Sequence, residues 1–162
     1  MNSYTVSLCL AVLLASAPVT SFSADATPRQ ILAQGSSVHK LVFDLSAANP
    51  VPGQVHPGLA AVARLDDLYC DQGAKPADVH IVVVLHAAAT EMVRDPVNAA
   101  AMQKLAHDGV LFIVSQQSLA LRHIAETALP SFMAAGPSAD LVFFNFEESG
   151  YIYSGTGSLF KD

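Results

Sequence analysis

Tryptophan is absent from this 162-residue chain, cysteine occurs twice, and Asp, Glu, Lys and Arg together make up only 14% of it. Each scarcity excludes something. The eight Lys and Arg are scattered and form no basic stripe, so the electrostatic footprint of a nucleic-acid binder is missing. Six histidines, at 39, 56, 80, 86, 107 and 123, fall into no His-x-x-x-His or Cys-x-x-Cys spacing, and His80 and His86 lie too far apart along one strand to chelate one ion. No metal site is expected. The turn "HAAATEM" lacks the glycines that let a phosphate approach the backbone, and no Gly-x-Ser-x-Gly elbow occurs, so neither a nucleotide nor another cofactor is expected, nor a hydrolase.

Long apolar runs are also scarce. "LCLAVLLASAPV" (Leu8 to Val19) is too short to span a bilayer comfortably and reads as the core of a secretory leader, with Ala24-Asp25-Ala26 as a small-x-small cleavage site. Residues 1–26 are therefore expected to be a signal peptide cleaved near Ala26, which makes the protein periplasmic or secreted and leaves it no membrane attachment. Roughly 136 residues remain, enough for a single domain over 27–162. Fourteen acidic residues stand against eight basic; with Asp25 in the leader, thirteen against eight remain, a net charge near minus five. Cys9 leaves with the leader, so Cys70 has no internal disulfide partner.

What is present is a repeated alternation of strand and helix. "HKLVFDLS" (His39 to Ser46) reads as a first strand, and the loop "AANPVPGQVHPG" feeds a helix from Leu59 to about Asp71, closed by Gly73 and Pro76. "VHIVVVLH" (Val79 to His86), β-branched at nearly every position, is a strand covered on both sides. Asp95-Pro96 opens a second helix that Gly109 ends, and "VLFIVS" follows as a third strand. In "ADLVFFNFEESGYIYSG", Ser138 as a cap and Gly150 as a stop favour a helix followed by a short strand over one long strand. The tail from Ser154 reads as loosely held. This order predicts right-handed crossovers and an α/β fold, three layers deep, around a mainly parallel sheet of about five strands.

Ligands of such sheets sit beyond the carboxyl ends of the strands. That rule brings His86, at the end of one strand, near Ser115, Gln116, Gln117 and Ser118, at the end of the next, and makes these five the candidate ligand-binding residues. Ser118 is expected to cap a turn of helix starting at Leu119, leaving N–H donors that suit a small anionic or sulfur-containing ligand. No acid stands out in the sequence as placed to orient the His86 imidazole. His56, in the long loop, could reach over the same edge, though a solvated connector is the simpler reading.

The succession "KLVFDLS", "DVHIVVVLHAAA", "AMQKLAHDGVLFIVSQQSLALRHI" and "LPSFMAAGPSADLVFFNFEESGYIYS" resembles the DsrE/DsrF-like (YchN-like) family, in particular its exported single-domain members, over nearly all of the chain beyond the leader. The resemblance implies a three-layer α/β/α fold, homo-oligomers (trimers or hexamers), and a sulfur relay in which a persulfide rides on a cysteine at the end of the third strand, in Cys-x-x-Ser-Leu. Here that position is Ser115, which cannot carry sulfane sulfur. Two further departures are Ala87, where His-Gly is usual, and His123, where Gly is common. The expected function is therefore a non-catalytic small-ligand-binding or assembly module related to sulfur-relay proteins, not an enzyme. The alternative is a sulfur carrier or sulfurtransferase using Cys70 or a partner's cysteine, although Cys70, beside Asp71 at a negative helix end, is in surroundings that oppose reactivity.

Overall fold

A computed structural model describes residues 38–155, so the segment expected to be a leader, with its expected cleavage site, and the last seven residues lie outside the described part. Five strands, β1 (His39–Leu45), β2 (Val79–Leu85), β3 (Leu111–Ser115), β4 (Met133–Gly136) and β5 (Ile152–Gly155), form one sheet in the order β4-β3-β2-β1-β5. Every pairing is parallel. Four α-helices connect them: α1 (Pro57–Asp71), α2 (Pro96–His107), α3 (Gln116–Leu121) and α4 (Ala139–Glu148). Helices cover both faces, so the chain has the three-layer α/β/α architecture its sequence predicts.

The two faces are covered very unequally. Strands β1 to β4 are laid down side by side in one direction, and their connections α1, α2 and α3 stay on one face, as right-handed crossovers require. Then α4 carries the chain back across the sheet to set β5 beside β1, which puts it alone on the other face. Phe43, Leu45, Ile81, Val83, Leu85, Phe112 and Val114 point into the three-helix side with Leu59, Val62, Met102 and Leu119. Their alternates Val42, Val82, Val84 and Ile113 meet Ala139, Val142, Phe143 and Phe146 of α4. Side chains alternate across a strand, so the sequence of each strand fills both layers at once.

The helix ends follow local chemistry. Asp95 accepts from the Val97 N–H at 2.9 Å with Pro96 in the first turn of α2, and Ser138 caps α4 through Leu141 N–H. Gly109 and Gly150, at φ +106° and +81°, turn the chain out of α2 and α4, as read from the sequence. The strand β4 escapes a propensity reading because "MAAG" has no β-branched residue. Its place is set by register: Phe112 pairs Met133 and Ser115 pairs Gly136. A Cβ at Gly136 would stand 2.7 Å from Val142 and 2.9 Å from Ile113, so the glycine is what lets α4 close on the sheet here. Ser154 closes the short last strand, beside Phe43, and Gly155, expected in a loose tail, extends that strand by one residue, beside Asp44.

Candidate functional site

Asp44 is the polar interruption of β1, and it points to the thinly covered face, one position before the strand's end. On the neighbouring strand, His86 follows Leu85 in extended conformation, its N–H held by the Leu45 carbonyl. The two side chains meet there: His86 Nε2 lies 2.7 Å from Asp44 Oδ1. Tyr153, on β5, donates its hydroxyl to the other carboxylate oxygen, Asp44 Oδ2, at 2.8 Å. An ionised carboxylate only accepts, so Asp44 fixes the His86 tautomer with the proton on Nε2. Burial first, then the hydrogen bond and charge of Asp44 and the charge of Glu147, push the Tyr153 hydroxyl up to about 12, so it remains a donor.

This trio borders a shallow hollow of about 310 Å³ between α4 and the β1–β5 edge. Its walls are the rings of Phe143, Phe144 and Tyr153, and Asp140 and Glu147 add two more carboxylates. Phe143 stands perpendicular to both the His86 and Tyr153 rings, with centroids 6.1 and 5.1 Å away. Among the described residues, no Lys or Arg lines the hollow.

The expectation that no acid orients His86 is thus overturned: Asp44 does so across the β1–β2 pair. The signal was there, a lone aspartate in "LVFDL" with the same strand parity as His86, but reading it required knowing that β1 and β2 are neighbours in register, Leu45 beside Leu85.

The serine turn takes a different place. Ser115 continues the pairing one step past Leu85 and Val114, so it shares a rim with His86, but it is 1% exposed and does not line the hollow. Its hydroxyl, not that of Ser118, is the cap: it accepts from Ser118 N–H at 3.4 Å and α3 begins at Gln116, which corrects the expected start at Leu119. Gln116 and Gln117 are exposed beyond it, and Gln117 N–H reaches the Pro137 carbonyl at 3.4 Å. That bond draws the ends of β3 and β4 together, where their connections leave for opposite faces and a crevice would otherwise open.

Ser118 and Arg122 instead hold the residue after His86. Ala87 sits at φ +47°, a left-handed conformation that costs a residue with a Cβ about 1–2 kcal/mol. Its N–H donates to Ser118 Oγ at 2.9 Å and its carbonyl accepts from Arg122 Nε at 2.8 Å. His123, just after α3, is also left-handed, at φ +51°, and its carbonyl accepts from Arg94 Nη2 at 3.0 Å. Residues 87–94, which take in most of the "HAAATEM" turn, form a 3-10 helix that buries Ala89, Thr90, Met92 and Val93 under the sheet's rim.

His56 lies on the other side of the molecule's rim and is 6% exposed. Its Nδ1 accepts from Gly58 N–H at 3.0 Å, capping α1, so it is neither a solvated connector nor part of the hollow. Burial pushes its imidazole below the ordinary value, partly offset by the carbonyls of Ala48 and Ala47. Asn98, buried and unnoticed in the sequence, ties this loop down: it accepts from His56 N–H at 2.7 Å and donates to the Gln54 carbonyl and to Asp95. Cys70 is exposed in the last turn of α1. Because α1 runs back from the carboxyl edge for about 22 Å, at 1.5 Å per residue, Cys70 ends near the opposite edge of the sheet from His86.

No family model and no curated protein matches this sequence. Among solved structures, the chain is similar to the protein of unknown function MTH1491 from Methanobacterium thermoautotrophicum, with a TM-score of 0.54 and 17% identity over 72% of this chain and 98% of that one. At that identity the likeness is one of fold. Among the described residues, no group of three or more His, Cys, Asp or Glu side chains is arranged to hold a metal ion, and no helix is long and apolar enough to cross a membrane.

Proposed function

We propose that this chain is an exported DsrE/DsrF-like protein that has given up sulfur carriage and acts as a non-catalytic small-ligand-binding or assembly module, with its site in the hollow at Asp44, His86 and Tyr153. The observation that carries this reading is the state of the rim. A histidine at the end of β2 is oriented and opens onto a hollow, while the position where a carrier thiol is expected holds Ser115, buried and engaged in capping. The left-handed backbone at Ala87 and His123 supports the resemblance, because these are the positions where a family member with Gly would adopt φ > 0 freely. Self-association into a trimer or hexamer draws support from exposed Leu141 and Ile152 and from an apolar groove on the far side of α4, between Val142, Phe146 and Ile113. Solution mass tests it: a monomer at micromolar concentration would remove the assembly half of the proposal.

The carrier reading keeps one observation in its favour, the exposure of Cys70. The protein without its leader, incubated with glutathione persulfide and weighed intact, separates the two. No retained sulfur is expected. A gain of one sulfur atom that disappears in Cys70→Ala would overturn the non-catalytic reading.

A further inference from the structure

We propose that the hollow beside α4 takes a small organic cation, an alkylated ammonium group seated against aromatic rings and surrounded by carboxylates. This rests on the reading of the hollow as the ligand site and names the class of guest. Along α4, Asp140, Phe143, Phe144 and Glu147 are spaced i, i+3, i+4 and i+7, which places an acid, two rings and a second acid on one stripe of the helix. That stripe faces Asp44 and Tyr153 across the hollow. Phe144 is 57% exposed, an apolar ring left in solvent between two charges where a polar residue would serve a bare surface better.

Charge decides the sign of the guest. Three carboxylates face one imidazole, and that imidazole is already engaged with Asp44. Among the described residues, Asp140 and Glu147 form no ion pair. An anion would meet this field at a cost, which moves the reading away from the anionic ligand expected at the serine turn. The chemistry decides the kind of cation. Ring faces attract a large, weakly hydrated ammonium through their quadrupoles, whereas a hard divalent ion needs several oxygens converging at short range. No such grouping of three acidic or histidine side chains exists among the described residues. A volume of about 310 Å³ limits the guest to a small molecule.

The test titrates choline and its uncharged isostere 3,3-dimethylbutan-1-ol into the isotopically labelled protein, with magnesium and thiosulfate as further probes. Shifts are followed at Phe143, Phe144, Tyr153 and the His86 ring. Choline is expected to saturate these shifts and to bind at least about tenfold more tightly than the isostere. The double change Asp140→Asn with Glu147→Gln is expected to weaken choline by about tenfold while the melting midpoint is retained, since both side chains are exposed. Equal affinity for the isostere, or shifts with thiosulfate or magnesium while choline is silent, would overturn the organic-cation inference and leave the ligand site standing. If none of the four probes moves these residues, both the inference and the assignment of the hollow fall.

Discussion

The two faces of the sheet solve different problems with the same strands. On the three-helix face, the inward strand residues of β2, β3 and β4 are apolar, polar ones occur only at the margins of β1 and β5 as His39 and Ser154, and Phe43, Leu45, Leu85 and Phe112 are fully covered. On the α4 face, the apolar residues form a short central band, Val42, Val82 and Val84. Polar residues of the same parity bracket this band: Lys40 and His80 toward the amino edge, Asp44, His86 and Ser115 toward the carboxyl edge. One helix cannot cover five strands, so polar groups on that face stay within reach of solvent or of a guest. The thick face holds the fold together, and the thin face is where binding chemistry can be placed.

The largest effect that sharpens this contrast is a truncation on each side. Phe112→Ala is expected to cost about 3–5 kcal/mol in urea unfolding, and Val142→Ala, under α4, about 1–2 kcal/mol. Equal costs would mean that α4 is as firmly seated as the three-helix layer.

Next comes the buried strap at the rim of the thick face. His56→Ala removes a helix cap and a buried ring, and is expected to cost about 2 kcal/mol. The same residue makes stability depend on pH. Its folded-state value is lowered, so the neutral ring is favoured by folding. That contribution is full above the ordinary 6.5 and is lost as pH falls through the lowered value. His56→Asn, which keeps an acceptor for Gly58 N–H and removes the titration, is expected to flatten the decline. The Asp95 carboxylate, lowered by its hydrogen bonds to Asn98 and Val97, adds a further loss only below its ordinary 3.8.

At the hollow the stakes for stability are smaller. Asp44→Asn weakens two hydrogen bonds at a carboxylate that is 20% exposed, so solvent screening holds the expected cost to about 1 kcal/mol. A loss of several kcal/mol would make Asp44 a structural residue. The smallest effects run in the opposite direction. Ala87→Gly and His123→Gly each relieve a left-handed residue and are expected to stabilise by about 0.5–1 kcal/mol, the strain released minus the extra freedom of the unfolded chain. If Ala87→Gly stabilises and also loosens His86, strain at that turn serves the site.

Much of this was legible in the amino acids. Apolar runs gave β1, β2 and β3; Asp95-Pro96, Ser138, Gly109 and Gly150 marked where α2 and α4 start or stop. The strand β4 was not, because four small or flexible residues carry no strand signal of their own and are recruited by β3. At the site, the carboxyl-edge rule led to His86, which borders a hollow. The same rule favoured Ser115 to Ser118, whose hydroxyls turned out to be occupied by backbone: Ser115 caps α3 and Ser118 holds Ala87. Asp44 and Tyr153 were missed because their partnership runs between strands 109 residues apart in sequence. A period-2 reading of "KLVFDLS" and "HIVVVLH" side by side shows Asp44 and His86 at matching ends, but only once the two strands are known to pair in parallel.

The central claim is that Asp44 fixes the His86 imidazole at the mouth of the hollow, with the serine turn as its support. A long-range proton–nitrogen correlation spectrum of the His86 ring, at about pH 8 where the reference imidazole is neutral, tests it most directly. A single tautomer protonated at Nε2 is expected, lost in Asp44→Ala and retained in Ser115→Ala. A ring protonated at Nδ1, or one averaging freely between tautomers in the unmodified protein, would contradict it.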